Sequence, residues 1–597
     1  MRSIRLHPPA LPFFCGVLFL QLSSTCLAAT KTWNGSSNNS WGIAANWTAS
    51  GIPATTDDSV FTGTSTNGFN LHLGTANRSI ASVTFDATAT TPYTLYLGDG
   101  VSMPFTNSRT LTVGTGGITV NAGSHVIQGT GTTNAELSLG NSTFNIATGT
   151  TLAFNARLGA ASSSNNYTKS GGGTLVINAG NGNSGGWNFS SGSTGFTVAA
   201  GVLKLATSGA TGNSSNKFRV SSGGTLELAS AGAYNSANGT LTLNGSGAEG
   251  VGVIHATATT TIGAGTGSLT LASSSSVAAD ASQTLTVNQV ITGSASADLT
   301  KIGAGTLELK GVNTYPGNTL VSAGSLLVNN TSGSGTGSGQ VTVSGSSTRI
   351  GGTGTISGTV DCAGILAPGS GGIGTLTTGS TSLSGTLAIE VNGTNADKLT
   401  ANGDLTLTDA TLSVSVVGSA LSEPCVIATW TGVLTGTFSS VPSGYTVTYD
   451  TDNKQLILTP PTSGYSAWAA LNSLASGSDG PTDDPDHDNL PNLLEYVLLA
   501  NPSVSTSTEL PVQTLETDTV HFSFHRNPDS KADTTLILQW GTNLSSWHDI
   551  SIPDTNSGDG IVGIDSSNPA YDAVTVNIAR SGAADGKLFV RLKAVPK

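Results

Sequence analysis

Apolar residues along most of this chain fall at every second position, in short runs separated by glycine and small polar residues. One stretch shows the pattern in full: Leu299-Thr-Lys-Ile-Gly-Ala-Gly-Thr-Leu-Glu-Leu309, then Asn313-Thr-Tyr-Pro-Gly317, then Val321-Ser-Ala-Gly-Ser-Leu-Leu-Val328. Period two is the signature of a half-buried strand, so this stretch predicts glycine turn, strand, polar turn, strand. Two passages repeat it closely. Lys169–Ile177 matches Lys301–Leu309, and Val198–Leu205 matches Val321–Val328. Shorter variants such as Thr110–Val113, Thr225–Leu228 and Thr284–Val287 fill the rest of residues 68–460.

A rung of this kind cannot bury its small apolar face alone, whereas stacked rungs share one narrow core. Leucine is expected to point inward and the intervening Thr, Glu or Lys outward. Glycine is expected at corners that need positive φ. The fold class is therefore all-β: a parallel β-helix, or solenoid, over residues 68–460. With roughly 20 residues per rung and strands about 4.8 Å apart, it would be on the order of 90 Å long.

The two ends depart from this pattern. Trp33, Trp41 and Trp47 crowd residues 29–67. They predict a cap over the apolar end and open strand edge of the first rung. The competing reading, a sugar-stacking platform, requires exposed rings. At Pro460-Pro461 the composition shifts. Residues 461–505 predict a helical linker: one helix over Tyr465–Leu474, an acidic loop, and an apolar helix over Asn492–Leu499 stopped by Asn501-Pro502. Strand patterns return at Val520–Phe524, Thr535–Trp540, Val574–Ile578 and Lys587–Leu592, predicting a C-terminal β-sandwich-like domain over residues 506–597.

Composition and charge narrow the partners. The net charge is -13, with 22 Lys and Arg in no cluster, which disfavours nucleic acid. The start of the chain carries Arg2 and Arg5, an apolar run over Leu11–Leu20, and Cys26-Leu-Ala-Ala29. This is the layout of a secretory signal peptide over residues 1–28, cut after Ala28 or Ala29. No later segment is long and apolar enough to span a membrane. Export would permit Cys362 and Cys425 to pair, and two buried thiols are the equal alternative.

Chemistry concentrates in Asp484-Pro-Asp-His-Asp-Asn-Leu-Pro-Asn-Leu-Leu-Glu495. Numbered from Asp484, positions 1, 3, 5, 7, 9 and 12 are Asp484, Asp486, Asp488, Leu490, Asn492 and Glu495, the spacing of a calcium loop. Alternate side chains, one backbone carbonyl and a carboxylate on the following helix can converge on a hard cation. Position 6 is Asn489, which tolerates the left-handed turn that glycine usually supplies. Pro491 at position 8 departs from the usual aliphatic. The segment resembles the lone calcium loops of dockerin-like and thrombospondin-type-3-like linkers, and a structural Ca2+ is expected.

Other signals are weak. Gly182-Asn-Ser-Gly-Gly186 fits G-x-S-x-G by chance in so Gly- and Ser-rich a chain. Asp361 and Glu390 have no acidic neighbour in sequence, and Glu227 and Glu308 occupy matching, outward repeat positions. No catalytic residue is assigned. Trp540 is expected in the core of the last domain, and Trp547 nearer its surface.

The block Gly303–Leu309, Asn313–Gly317 and Val321–Leu326 resembles the autotransporter-associated β-strand repeat. Gly364–Gly369, Gly374–Leu376, Trp33–Gly35 and Ala45–Trp47 are similar to other parts of such passengers. The resemblance implies a right-handed parallel β-helix at the surface of a bacterium or secreted from it. The expected membrane β-barrel strands are not seen after residue 505, which points to release by another exporter. The expected function is a non-catalytic structural or adhesive scaffold whose partners are extracellular polysaccharide or surface proteins. The alternative is a polysaccharide-binding or polysaccharide-degrading β-helix.

Overall fold

The structure is a computed structural model. It describes residues 28–597 apart from 50, 101–106, 130–136, 161–164, 179–194, 209–216, 235–238, 264–266, 295, 443, 462–463, 473, 476, 506–509, 558 and 583–586. The expected signal peptide over residues 1–28, all but Ala28, and the 182–186 motif lie outside the described residues.

A parallel β-solenoid of about 14 turns forms the body. The central repeat shows how one turn is built. Strands Leu299–Ile302 and Thr306–Leu309 belong to one turn, and Thr319–Val321 and Ser325–Val328 repeat them one turn on. Leu299 pairs with Thr319, and Thr306 with Ser325, both in parallel. Partners on neighbouring turns can lie close in sequence, as Ile350 and Leu366 do, or far apart, as Arg78 and Leu111 do. The turns are therefore longer than the repeat suggests, because corner loops absorb extra residues. At about 4.8 Å per turn the rod is nearer 65 Å than 90 Å.

Alternation of buried and half-exposed positions holds strand after strand, as in Thr306–Leu309 and Thr174–Ile177. The inward residues form one continuous apolar core from Trp33 to Leu458. That continuity supplies the hydrophobic stabilisation no single rung has.

Both ends are closed. Trp33, Trp41 and Trp47 are almost fully buried and pack around Phe61, with Trp41 and Trp47 centroids 4.7 Å apart. Rings buried in this way cannot stack on a sugar. The outer edge of strand Thr30–Trp33 is covered by the loop that follows it, through Asn34 N to Asn46 O and Thr48 N to Thr32 O, both 2.9 Å. At the far end, strand Gln455–Thr459 runs antiparallel to Cys425–Trp430, and Thr446–Asp450 pairs antiparallel beyond it, so parallel stacking stops. Cys362 and Cys425 are free thiols.

Two lysines occupy the inward parity, which the alternation of leucine with outward residues did not address, while the intervening Lys204 faces out as expected. Lys169 and Lys301 point inward and are fully buried. Lys301 Nζ donates to the carbonyls of Ile302, Gly303 and Ala323 at 2.8, 2.7 and 3.1 Å. Lys169 Nζ donates to Ser170, Gly171 and Ala200 at 2.8, 2.7 and 3.0 Å. Burial lowers both ammonium groups to about 8, so each remains largely charged at neutral pH. All three N–H donors are used, and one of the carbonyls belongs to the next turn. The lysine therefore staples a corner to its neighbour. Gly201 and Gly324, each at positive φ, sit against these corners. A Cβ on Gly324 would meet Gly305 O at 2.3 Å and Gly303 O at 2.6 Å.

The last part of the chain has its own core. A four-stranded antiparallel sheet takes Val512–Leu515, Thr519–Arg526, Asp572–Ala579 and Val562–Asp565 in spatial order, and a three-stranded one takes His548–Ser551, Thr534–Gly541 and Phe589–Pro596. Phe522, Phe524 and Val576 from the first meet Leu536 and Leu538 from the second in one cluster. The helices Gly464–Leu471 and Asn492–Leu498 share that cluster through Tyr465, Ala469, Leu493 and Tyr496, so they are part of the domain and not a free tether. Ala470 on the first helix packs against the solenoid core, which places this helix between the two.

Candidate metal centre

The loop from Asp484 leads into helix Asn492–Leu498, and the helix carries Glu495. Its sequence folds back tightly because two residues take left-handed backbone, His487 at φ 60 and Asn489 at φ 71. The second is the position foreseen for such a turn, and the first is not. Within the fold-back, Asp488 N donates to Asp484 Oδ1 at 3.2 Å, Asn489 N to Asp484 Oδ2 at 3.0 Å, and Leu490 N to Asp488 Oδ1 at 2.8 Å. These bonds bring oxygens of Asp484, Asp486 and Asp488 within 4.8 Å of one another. Asp486 Oδ2 is buried with no hydrogen-bond partner.

Glu495 is the telling residue. Its side chain is 0% exposed, and neither Oε1 nor Oε2 has a hydrogen-bond partner. Burial, followed by the charges of Asp486, Asp488 and Asp484, raises its carboxyl to about 7. Burying a carboxylate without partners is costly, and surrounding it with three like charges compounds the cost. Asp484, Asp486 and Asp488 thus bring three carboxylates together, a donor type a hard divalent cation takes, while Glu495, whose carboxyl they raise, lies outside that group of three.

The remaining residues of the calcium-type spacing behave differently. Asn492 is fully buried, and its Nδ2 donates to Ser478 O at 2.8 Å and Gly480 O at 3.0 Å. It ties the preceding turn to the helix start. Leu490 enters the hydrogen bonding described above through its N–H. Tyr465 Oη, on the other helix, donates to Asp479 O at 2.9 Å, so the loop is held at both sides.

The other carboxylates singled out by the sequence sit in the solenoid, and one of them, Glu390, also has a buried oxygen, Oε2, without a hydrogen-bond partner. Glu390 does have an acidic neighbour: the hairpin pairing Val391 with Ala396 brings Asp397 beside it. Asp397 is 1% exposed, and its two oxygens accept Gly374 N at 2.8 Å and Glu390 N at 2.9 Å. Burial raises it to about 6, yet it is clamped to backbone and closed to substrate. Glu227 and Glu308 face outward but lie in ladders between turns: Lys204 Nζ to Glu227 Oε1 at 2.6 Å, and Thr286 Oγ1 and Asn329 Nδ2 to Glu308, both at 2.8 Å. Trp540 packs against the terminal domain's core. Trp547 lies under the Arg591 guanidinium, 4.1 Å from the ring centroid.

Among known protein families, the passenger-associated transport repeat matches residues 168–205 and 299–328, the two passages that contain the buried lysines. No curated protein matches the chain. The repeats and the β-solenoid around them fit an autotransporter-associated repeat passenger, the class of an exported, passenger-like scaffold. That family suggests a surface or secreted protein. Among the described residues, no helix is long and apolar enough to cross a membrane.

Proposed function

We propose that this chain is a structural or adhesive scaffold that works outside the cell and whose terminal domain is braced by calcium. The observation that supports the scaffold reading best is the placement of both transport repeats inside one continuous, doubly capped solenoid. Its outer faces present ladders of Thr, Glu, Asn and Lys in register from turn to turn. Such a surface offers many weak, equally spaced contacts to an extracellular polysaccharide or a surface protein. Weak sites on a rigid rod add through effective concentration.

Calcium suits the site because the unused oxygens are those of carboxylates, and hard cations take oxygen. Asp484, Asp486, Asp488 and Glu495 would hold it, with the Leu490 carbonyl and Asn492 completing the sequence pattern. The ion would supply positive charge where three carboxylates meet, beside the buried Glu495. The chain's own residues supply the rest of the brace. Asn492 fastens the 478–480 turn. Tyr496, beside Glu495, packs on Tyr465 and Trp468 of the first helix at 5.7 and 5.6 Å. That helix in turn packs on the solenoid core through Ala470. Neutralising the loop therefore stiffens the joint between rod and terminal domain.

The scaffold reading is tested by presenting the full chain to a glycan array and to intact cells of the native bacterium, with product analysis alongside. Retention on glycans or cell surfaces without new reducing ends or unsaturated sugars supports it. Release of oligosaccharides would replace it with an enzyme.

A further inference from the structure

The first described residues lie against a buried acceptor. Ala29 N donates to Asp57 Oδ1 at 3.1 Å, and Asp58 N donates to Ala29 O at 2.9 Å, immediately before strand Thr30–Trp33. Asp57 is 6% exposed, and its other oxygen accepts Ala54 N at 2.9 Å. Ala28, one residue earlier, is exposed. In an uncut chain Ala29 offers this buried carboxylate a single neutral peptide N–H. A primary ammonium at the same atom would offer a full positive charge, and a charge-assisted bond is roughly twice as strong as a neutral one.

The sequence around this atom meets the requirement of a leader peptidase, small residues one and three positions before the cut. A cut after Ala28 places Ala28 and Cys26 there. A cut after Ala29 would place Leu27 three positions before, which is too large.

We propose that the Ala28–Ala29 bond is the processing site, and that the new α-ammonium of Ala29 forms a buried ion pair with Asp57 that locks the first rung. The inference rests on the export reading. In the step itself, water adds to the Ala28 carbonyl carbon and the C–N bond breaks. Ala28 leaves as a carboxylate on the leader, and the Ala29 amine takes up a proton. The cut thus creates the cation that the cap already has an anion to receive, so maturation and closure of the N-terminal end are one event.

The test is to express the full chain in an exporting bacterial host and measure the intact mass of the exported product. The α-amine of wild type and Asp57→Asn is then labelled with an acylating reagent at neutral pH. The expected product begins at Ala29, and its α-amine reacts several-fold more slowly in wild type than in Asp57→Asn. Export with a first residue other than Ala29 overturns the inference and leaves the scaffold reading standing. A chain that stays uncut inside the cell overturns both. A product that begins at Ala29 but labels equally fast in the two proteins overturns the ion pair.

Discussion

The solenoid and the terminal domain each bury a charge, and they do so in opposite ways. Lys301 brings its ammonium into the corner between two turns and meets three carbonyl oxygens. Glu495 brings its carboxylate into the core side of a helix and meets none, with three aspartates close by. A buried charge whose partners are all in the chain is a staple. A buried charge with no partner in the chain is a demand for one from outside. The same fold cost is met within the chain in one region and is the basis of the proposed calcium site in the other.

The contrast orders the expected effects. The largest belongs to the staple. Lys301→Met leaves three inward carbonyls without their donor, and should lower the solenoid's stability by about 3 kcal/mol in chemical denaturation, with or without calcium. A loss under about 1 kcal/mol would mean that the corner is held by its glycines alone.

Calcium should stabilise the terminal domain by on the order of 3 kcal/mol when present at a hundredfold its dissociation constant. Glu495→Gln should abolish that gain. In a chelator at pH 7.5, the same substitution should instead stabilise the domain, by about 1–2 kcal/mol, because it removes the uncompensated charge. Hydrogen exchange of helix Asn492–Leu498 reads both effects. Opposite signs in the two conditions are the mark of a metal ligand, whereas a purely structural carboxylate would lose stability in both.

The pH dependence of the metal-free domain follows from the direction of the Glu495 shift. Its carboxyl is raised to about 7 in the folded chain, from an ordinary value near 4.5. Between those values the folded state binds more protons than the unfolded state, so this group's contribution falls as pH rises. It is fully present below about 4.5 and lost through about 7, a change on the order of 3 kcal/mol. Calcium should cancel the slope. The smallest effect is expected at Lys204, on the outside of the same repeat as Lys169. Its ion pair with Glu227 is 37% exposed on the lysine side, and Lys204→Ala should cost no more than about 1 kcal/mol.

Much of this was legible in the residue pattern. Alternating Leu and Thr gave the strands, and glycine at corners gave the turns, because period two and positive φ are local properties. The early tryptophans were legible as a cap because an open end of a stack has to be covered. The buried lysines were missed although their parity carried the signal: Lys301 is two residues from inward Leu299, so it shares that face, and Ile302 takes the outward place. A corner built of carbonyls accommodates an inward lysine, whereas Lys204, between two inward leucines, faces out. The spacing of Asp484, Asp486, Asp488 and Glu495 was visible. That Glu495 has no partner was not, since burial depends on how the helix packs. The pairing of Glu390 with Asp397 was hidden for a related reason, because a hairpin turn, not sequence adjacency, brings them together.

Titration calorimetry of Ca2+ into the metal-free, full-length mature chain, beside Glu495→Gln, tests the central claim most directly. The account predicts one ion bound per wild-type chain, with buffer-dependent heat at pH 7 as Glu495 gives up its proton, and no binding to the variant. Equal heats in the two proteins would contradict it.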